Sequence, residues 1–147
     1  MSGFVNEQNS KRGHYAEVIK DIAEKNVCPF CPEQLLNFHK KPIRKYGHWI
    51  VTDNMYPYKP VKHHALFIHE QHIEHVSDMS PEAWQELKEI VDQETTSRGI
   101  VGGAVMMRFG DTRFTGASVS HLHAHLVQSD PDSPDYNPDQ GLRARVG

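Results

Sequence analysis

Residues 118–128 read SVSHLHAHLVQ, with histidine at 121, 123 and 125 and an apolar residue at 122, 124 and 126. Side chains alternate across a β-strand, so this spacing predicts a strand with three imidazoles on one face and Leu122, Ala124 and Leu126 on the other. Successive imidazoles are then set ~6.6 to 6.8 Å apart, close enough to share a site and too far for direct hydrogen bonds on a flat strand. Three readings of the pattern stand side by side. The imidazoles can do nucleophilic and acid–base work. They can ligate a metal, since H-x-H on a strand is a common ligand spacing, although no carboxylate near them on that strand completes such a site. They can also be the solvated face of an edge strand.

Working outward, residues 101–109 (VGGAVMMRF) read as a strand joined to the histidine strand by a glycine-containing loop at 110–117, which favours antiparallel pairing. Residues 47–52 (GHWIVT) and 64–69 (HALFIH) read as two more strands, separated by an extended loop at 53–61 that holds Pro57 and Pro60. The continuous apolar middle of the second predicts burial on both of its faces. Tyr15, Val18, Ile19, Ile22 and Ala23 recur at helical offsets, which predicts an amphipathic helix over residues 14–27. It should stop by Asn26 or Val27, because Pro29 disfavours helical backbone at Cys28. Ser80 before Pro81 is a helix start, Trp84, Leu87, Ile90 and Val91 supply a stripe expected to face the core, and Gly99 suits a left-handed stop. After residue 128 the chain turns to SDPDSPDYNPDQ, a loop or tail, and ends on the basic GLRARVG. No internal repeat is present.

A length of 147 residues predicts one domain, 1–147, and a charged fraction of 24% is ordinary for a globular protein. No apolar run approaches the ~20 residues of a membrane span, and the opening residues lack the apolar core of a secretory signal. The expectation is a cytoplasmic protein without a membrane partner. A net charge of −3 gives no positive field for a nucleic-acid backbone, so no nucleic-acid partner is expected. A small anionic ligand would be held by local groups, with Arg108, Arg113, Arg143 and Arg145 as sources of positive charge. The only cysteines are Cys28 and Cys31. A disulfide between them would close too short a loop to restrict the unfolded chain usefully, which leaves a redox pair, half of a zinc site, or inert thiols. Of the 11 histidines, His14, His39, His48, His63, His69 and His75 are expected to be surface or packed residues.

The run GASVSHLHAHLV at 116–127 resembles the signature of the histidine-triad family, histidine alternating with hydrophobic residues after a small, glycine-containing turn. DNMYPYKPVKHHALFIHEQH at 53–72 is similar to the family segment in which Asn or Asp precedes a Pro-x-x-Pro turn, a histidine and an apolar strand. The resemblance spans about residues 28–128, leaving the first helix and the tail at 129–147 outside the common core. It implies an α+β fold, an antiparallel sheet of about five strands carrying helices, and a homodimer. It implies a small-molecule nucleotide substrate, a nucleoside phosphoramidate or a dinucleoside polyphosphate, cleaved at the α-phosphate through a phosphohistidine. Carried onto this chain, it makes His123 the nucleophile, has His125 and His64 orient or polarise, puts Asn54 near the ribose, and puts Ser118 near the phosphate or leaving group. Arg108 and His125 join the nucleotide contacts.

Some family members carry C-x-x-C and complete a zinc site with the histidine after the second strand and the first histidine of the triad, which are His72 and His121 here. That set, Cys28, Cys31, His72 and His121, would make the zinc structural, and the phosphohistidine route demands no catalytic metal. The chain departs from the pattern in two places. Two extra residues separate Pro60 from His64, and Gly110 falls where many members have Asn or Gln near the phosphates. The second leaves that contact absent or supplied by Arg108, Asp111 or Arg113. Two rivals remain: a metal-dependent hydrolase that uses the histidines as ligands, and a non-catalytic nucleotide- or zinc-binding module, which Gly110 would suit.

Overall fold

The structure is a computed structural model that describes residues 3–10 and 13–147. In chain order it has α1 (Gly13–Lys25), α2 (Pro32–Phe38), β1 (Arg44–Tyr46), β2 (Trp49–Asp53), β3 (Val61–His69), α3 (Pro81–Arg98), β4 (Ala104–Arg108), α4 (Thr112–Thr115) and β5 (His123–Ser129). All five strands pair antiparallel in the order β1-β2-β3-β5-β4, which makes the fold α+β. The strand β1, not anticipated from the sequence, is a three-residue edge with mostly exposed side chains, too short and polar to show a period.

Strand alternation divides the sheet into two unlike faces. On one, Trp49, Val51, Ala65, Phe67, Ala124 and Leu126 pack against Ala83, Leu87 and Ile90 of α3. Phe67 lies opposite Ala124 in register, a large side chain against a small one. On the other face, Leu66 lies opposite His125 and Ile68 opposite His123, with Ile50, Leu66 and Ile68 packed under Leu35 of α2. Because paired residues point to the same side, the histidines share this second face with His64.

Helix α3 begins as its sequence predicts. The Ser80 hydroxyl accepts from the Ala83 amide, Pro81 opens the first turn, and Gly99 stops the helix in left-handed backbone at φ 65°. Its buried stripe is Ala83, Leu87, Ile90 and Glu94, one residue round from the expected one, so Trp84 is 44% exposed. The tryptophan in the core is Trp49, fully buried, with its indole N–H donating to the Ala83 carbonyl at 2.8 Å.

The chain ahead of the sheet is tied to the turn that precedes β5. Val5 bridges Val119, the Asn6 amide donates to the Ser118 carbonyl at 2.8 Å, and the Ser120 amide donates to the Phe4 carbonyl at 2.9 Å. Helix α1 then lays Ile19 and Ile22 against Val5 and Val119, with Tyr15 and Val18 at the edge of the same cluster. Among the described residues, no helix is long and apolar enough to cross a membrane.

Candidate functional site

The histidine strand is shorter than its sequence pattern. β5 starts at His123, and residues 118–122 form a bend with the single bridge at Val119. His121 therefore leaves the row of three that strict alternation predicts. Its side chain, fully buried, faces the cysteines, while His123 and His125 stay together with ring centroids 5.0 Å apart. The loop expected at 110–117 contains the short helix α4, capped by the Asp111 carboxylate and ended by Gly116 at φ 76°.

The hydrogen bonds fix the tautomers of the remaining three histidines. The Tyr58 backbone amide can only donate, and it donates to His64 Nδ1 at 3.1 Å, so the neutral ring carries its proton on Nε2. His64 Nε2 then donates to His125 Nδ1 at 2.8 Å, which places the His125 proton on Nε2. That buried N–H has no partner among the described residues. The Asn54 amide stands 3.3 Å from His64 Nε2 and is held in place by its oxygen, which accepts from the Tyr56 amide at 2.7 Å. The Tyr58 ring stacks on His125 at 5.8 Å.

His123 is polarised the other way. Its Nδ1–H donates to the His121 carbonyl at 2.6 Å, which leaves the lone pair on Nε2. Burial lowers its pKa to about 4, helped by the nearby Arg108 charge, so the ring is neutral near pH 7. Burial likewise holds His125 well below the usual histidine range, with the neighbouring His123, His64 and Arg108 acting in the same direction. The Phe30 ring meets His123 edge-on at 5.0 Å.

His123 and His125, with Phe30, Asn54 and Tyr58, line a cavity of about 540 Å³. One wall is apolar, built by Val18, Ile19 and Ile22 of α1 with Phe30, Phe38 and Leu66. Asn54, Tyr56, Tyr58 and Ser118 supply polar groups, and Arg108, Arg143 and Arg145 supply charge. Tyr15 also lines it, its buried hydroxyl hydrogen-bonded to that of Ser118 and its ring 4.8 Å from Tyr56.

Cys28, Cys31, His72 and His121 form a second cluster at the start of the same strand, with all donor atoms within 4.8 Å of one another. His121 Nε2–H donates to the His69 carbonyl at 2.5 Å, which leaves Nδ1 as a lone pair 3.4 Å from Cys28 Sγ and 3.6 Å from Cys31 Sγ. His72 Nδ1 lies 3.5 Å from Cys31 Sγ, with Glu74 3.5 Å from its other nitrogen. A tetrahedron with zinc–sulfur and zinc–nitrogen bonds of ordinary length has a sulfur–nitrogen edge of about 3.6 Å, so these four residues fit a divalent metal. The carbonyl and the carboxylate behind the two imidazoles are the outer partners that such ligands use. Both cysteines are free thiols, and burial pushes Cys31 up to about 12 in the absence of a cation.

Residues 28–137 match the family described as "Scavenger mRNA decapping enzyme C-term binding". The chain belongs to this family, and so to the histidine-triad proteins. Among solved structures, a protein titled "Hit Like Protein" is 22% identical with a TM-score of 0.52, over 62% of this chain and 88% of its own. A HIT family hydrolase from Clostridium thermocellum is 22% identical with a TM-score of 0.50, over 70% of this chain and 91% of its own. A zinc-bound histidine triad family protein from Mycobacterium smegmatis is 16% identical with a TM-score of 0.52, over 72% of this chain and 80% of its own. These likenesses show the shared fold. No curated protein sequence matches the chain.

Within the histidine-triad framework, the structure brings His123, His125, Asn54, Ser118 and Arg108 to one cavity, sets His64 behind His125, and brings the four cysteine and histidine donors to one cluster. Of the candidates to replace the contact at Gly110, Asp111 and Arg113 hold each other in an exposed pair, while Arg108 lines the cavity. Sequence reasoning placed Tyr15 only on a helix face and passed over Tyr58, whose backbone sets the tautomers. Neither role has a sequence signal, because one arises from a backbone amide and the other from a contact between residues 103 positions apart. His39, expected to be a packing residue, lines the cavity while bonded to Thr52 at 2.6 Å.

Proposed function

We propose that the protein is a nucleotidyl hydrolase or transferase that cleaves a nucleoside phosphoramidate or a dinucleoside polyphosphate at the α-phosphate through a phosphohistidine on His123. The observation that carries this reading is the tautomer relay, which leaves a lone pair on His123 Nε2 beside an unpartnered N–H on His125 Nε2. A nucleophile and a donor for phosphoryl oxygen are thus set in one buried cavity without a charge on either ring.

In the first step the His123 Nε2 lone pair forms a bond to the α-phosphorus, and the bond to the leaving group breaks with its electron pair going to that group, which leaves as a phosphate anion or, with a proton taken up from solvent, as an amine. His125 Nε2–H stabilises the charge on the phosphoryl oxygens, and His64 keeps that proton in place. Water then attacks phosphorus and gives up a proton to solvent, the phosphorus–nitrogen bond returns its pair to Nε2, and the nucleoside monophosphate leaves with the water oxygen. Asn54 holds the ribose and the apolar wall the base. Ser118 stands by the leaving group, with its hydroxyl oriented by Tyr15. No step calls on a catalytic metal.

Zinc held by Cys28, Cys31, His72 and His121 is a structural part of this reading. The donor set fills a tetrahedron with no open position, so the metal would fasten the segment before α2 to the start of the nucleophile strand. A homodimer through β4 is proposed as well, because β4 pairs only with β5 and leaves its other edge open beside the exposed Val101 and Val105. A cytoplasmic location completes the reading.

The test is a turnover panel of adenosine and guanosine phosphoramidates, dinucleoside polyphosphates and a capped dinucleotide, the last because the family's description names decapping. Intact-mass analysis after acid-free quenching should find nucleoside monophosphate mass on His123. An adduct on another histidine, or turnover retained in His123→Ala, would refute the mechanism. Activity lost on exhaustive chelation without unfolding would favour the metal-hydrolase rival, and tight binding without turnover the binding module.

A further inference from the structure

The basic end of the chain does not trail away from the site. Among the 24 residues that line the cavity are Arg108, Arg143 and Arg145, and none of the 24 is an aspartate or glutamate. The chain as a whole has 19 acids to 16 lysines and arginines, and residues 129–140 carry four aspartates and no cation, so the excess of positive charge at the cavity is local.

Three contacts put the segment there. Arg108, opposite His123 in register, donates from Nε to the Arg145 carbonyl at 2.8 Å and from Nη2 to the same oxygen. Gly116, two residues before Ser118, lets the segment pass close by, since a Cβ there would lie 3.3 Å from the Arg145 carbonyl oxygen and 3.3 Å from its Cγ. Leu142 and Gly141 are half-buried just ahead of it. Arg145 is thereby held beside Arg108 of β4 and the turn at Gly116. Among the described residues, no aspartate or glutamate pairs with Arg143 or Arg145, and Arg145 Nε donates to the Gly147 oxygen at 2.5 Å.

We propose that Arg143 and Arg145 form a subsite for an anionic leaving group, so that the substrate carries further phosphate beyond the one attacked. This rests on the nucleotidyl-transfer reading and selects within it. The α-phosphate already has the His125 N–H, and a leaving amine gains nothing from two guanidinium groups, which repel it if it is protonated. A phosphate chain is what planar guanidinium donors bind well, by charge-assisted and often bidentate hydrogen bonds. The dinucleoside polyphosphate is then the preferred class over the phosphoramidate.

The test compares ADP with AMP, which differ by one phosphate on the leaving-group side, in calorimetric titrations of the wild-type protein and of the Arg143→Ala/Arg145→Ala double variant. Wild type should bind ADP about tenfold more tightly than AMP, and the double variant should lose that preference while keeping its AMP affinity and its melting temperature. On turnover, the variant should lose about tenfold or more in kcat/KM on diadenosine triphosphate and less than about threefold on an adenosine phosphoramidate. Equal wild-type affinity for ADP and AMP, or an ADP preference that survives the double substitution, overturns the subsite. Failure of the transfer reading looks different: the ADP preference is present and arginine-dependent, but no substrate turns over. If neither nucleotide binds, both fall.

Discussion

Two histidine clusters adjoin one another at the head of β5, and they are built to opposite ends. Just ahead of the strand, His121 joins Cys28, Cys31 and His72 in a set where each imidazole presents its Nδ1 inward and anchors its other nitrogen, so every donor converges on one point. Two and four residues on, His123 and His125 also have one nitrogen anchored, but their free Nε2 atoms face a cavity, one as a lone pair and one as a donor. The difference teaches that residue type does not set the chemistry of an imidazole. The partner of its second nitrogen does, since that partner decides which atom is left over and in which protonation state.

The largest expected effect lies at the open cluster. His123→Ala removes the proposed nucleophile, so kcat should fall ~10⁴-fold or more while nucleotide affinity changes by no more than ~1 kcal/mol, measured by single-turnover kinetics and equilibrium titration. Substantial residual turnover would erase the distinction between the clusters. At the closed cluster, Cys28→Ser should reduce bound zinc from one per chain to background, with the melting temperature lower by on the order of 10 °C. Metal analysis beside thermal unfolding decides this, and full stability in a metal-free protein would show that the set is not a structural site.

Smaller effects sharpen the comparison. His64→Ala leaves His125 without its acceptor-side partner and free to take the wrong tautomer, so kcat should fall by about 10- to 100-fold with zinc content unchanged. Loss of zinc in that variant would mean that the clusters are not separable. Asn54→Ala should raise KM by about tenfold and move kcat by less than about threefold, because a ribose contact acts alike on ground and transition states. A kcat loss at constant KM would assign Asn54 to the chemical step. Least of all, Tyr15→Phe keeps the ring on Tyr56 and removes one hydrogen bond to Ser118, for an expected drop in kcat/KM of about three- to tenfold. Additive losses in Tyr15→Phe and Ser118→Ala would argue against the two hydroxyls working together.

Most of the scaffold was legible because its signals are local. Ser80, Pro81 and Gly99 marked α3, apolar periodicity marked α1, and runs of strand-forming residues, one with a continuous apolar middle, marked the strands on either side of the prolines at 57 and 60. The misreadings occurred where a neighbour along the chain gives no clue. Trp84 and Leu87 look like one stripe, yet the helix rotates so that Ala83 faces Trp49, because the small residue admits the indole and its carbonyl takes the indole proton. The histidine alternation runs on to 121, yet the strand stops at 123, because residues 118–120 pair with Phe4 and Val5 and turn His121 toward the cysteines.

The sequence by itself determined the residues available to each site and the closeness of Cys28 to Cys31, since these follow from spacing and residue chemistry within short windows, and it gave the α+β class through its resemblance to the histidine-triad family. Tertiary structure alone decided which nitrogen each imidazole leaves free, that α1 and the segment at 143–145 wall the cavity, and that, among the described residues, three arginines and no aspartate or glutamate line it. The physical reason is that tautomers, burial and local charge depend on groups far apart in the chain, which only the folded sheet and its covering segments bring within hydrogen-bond reach.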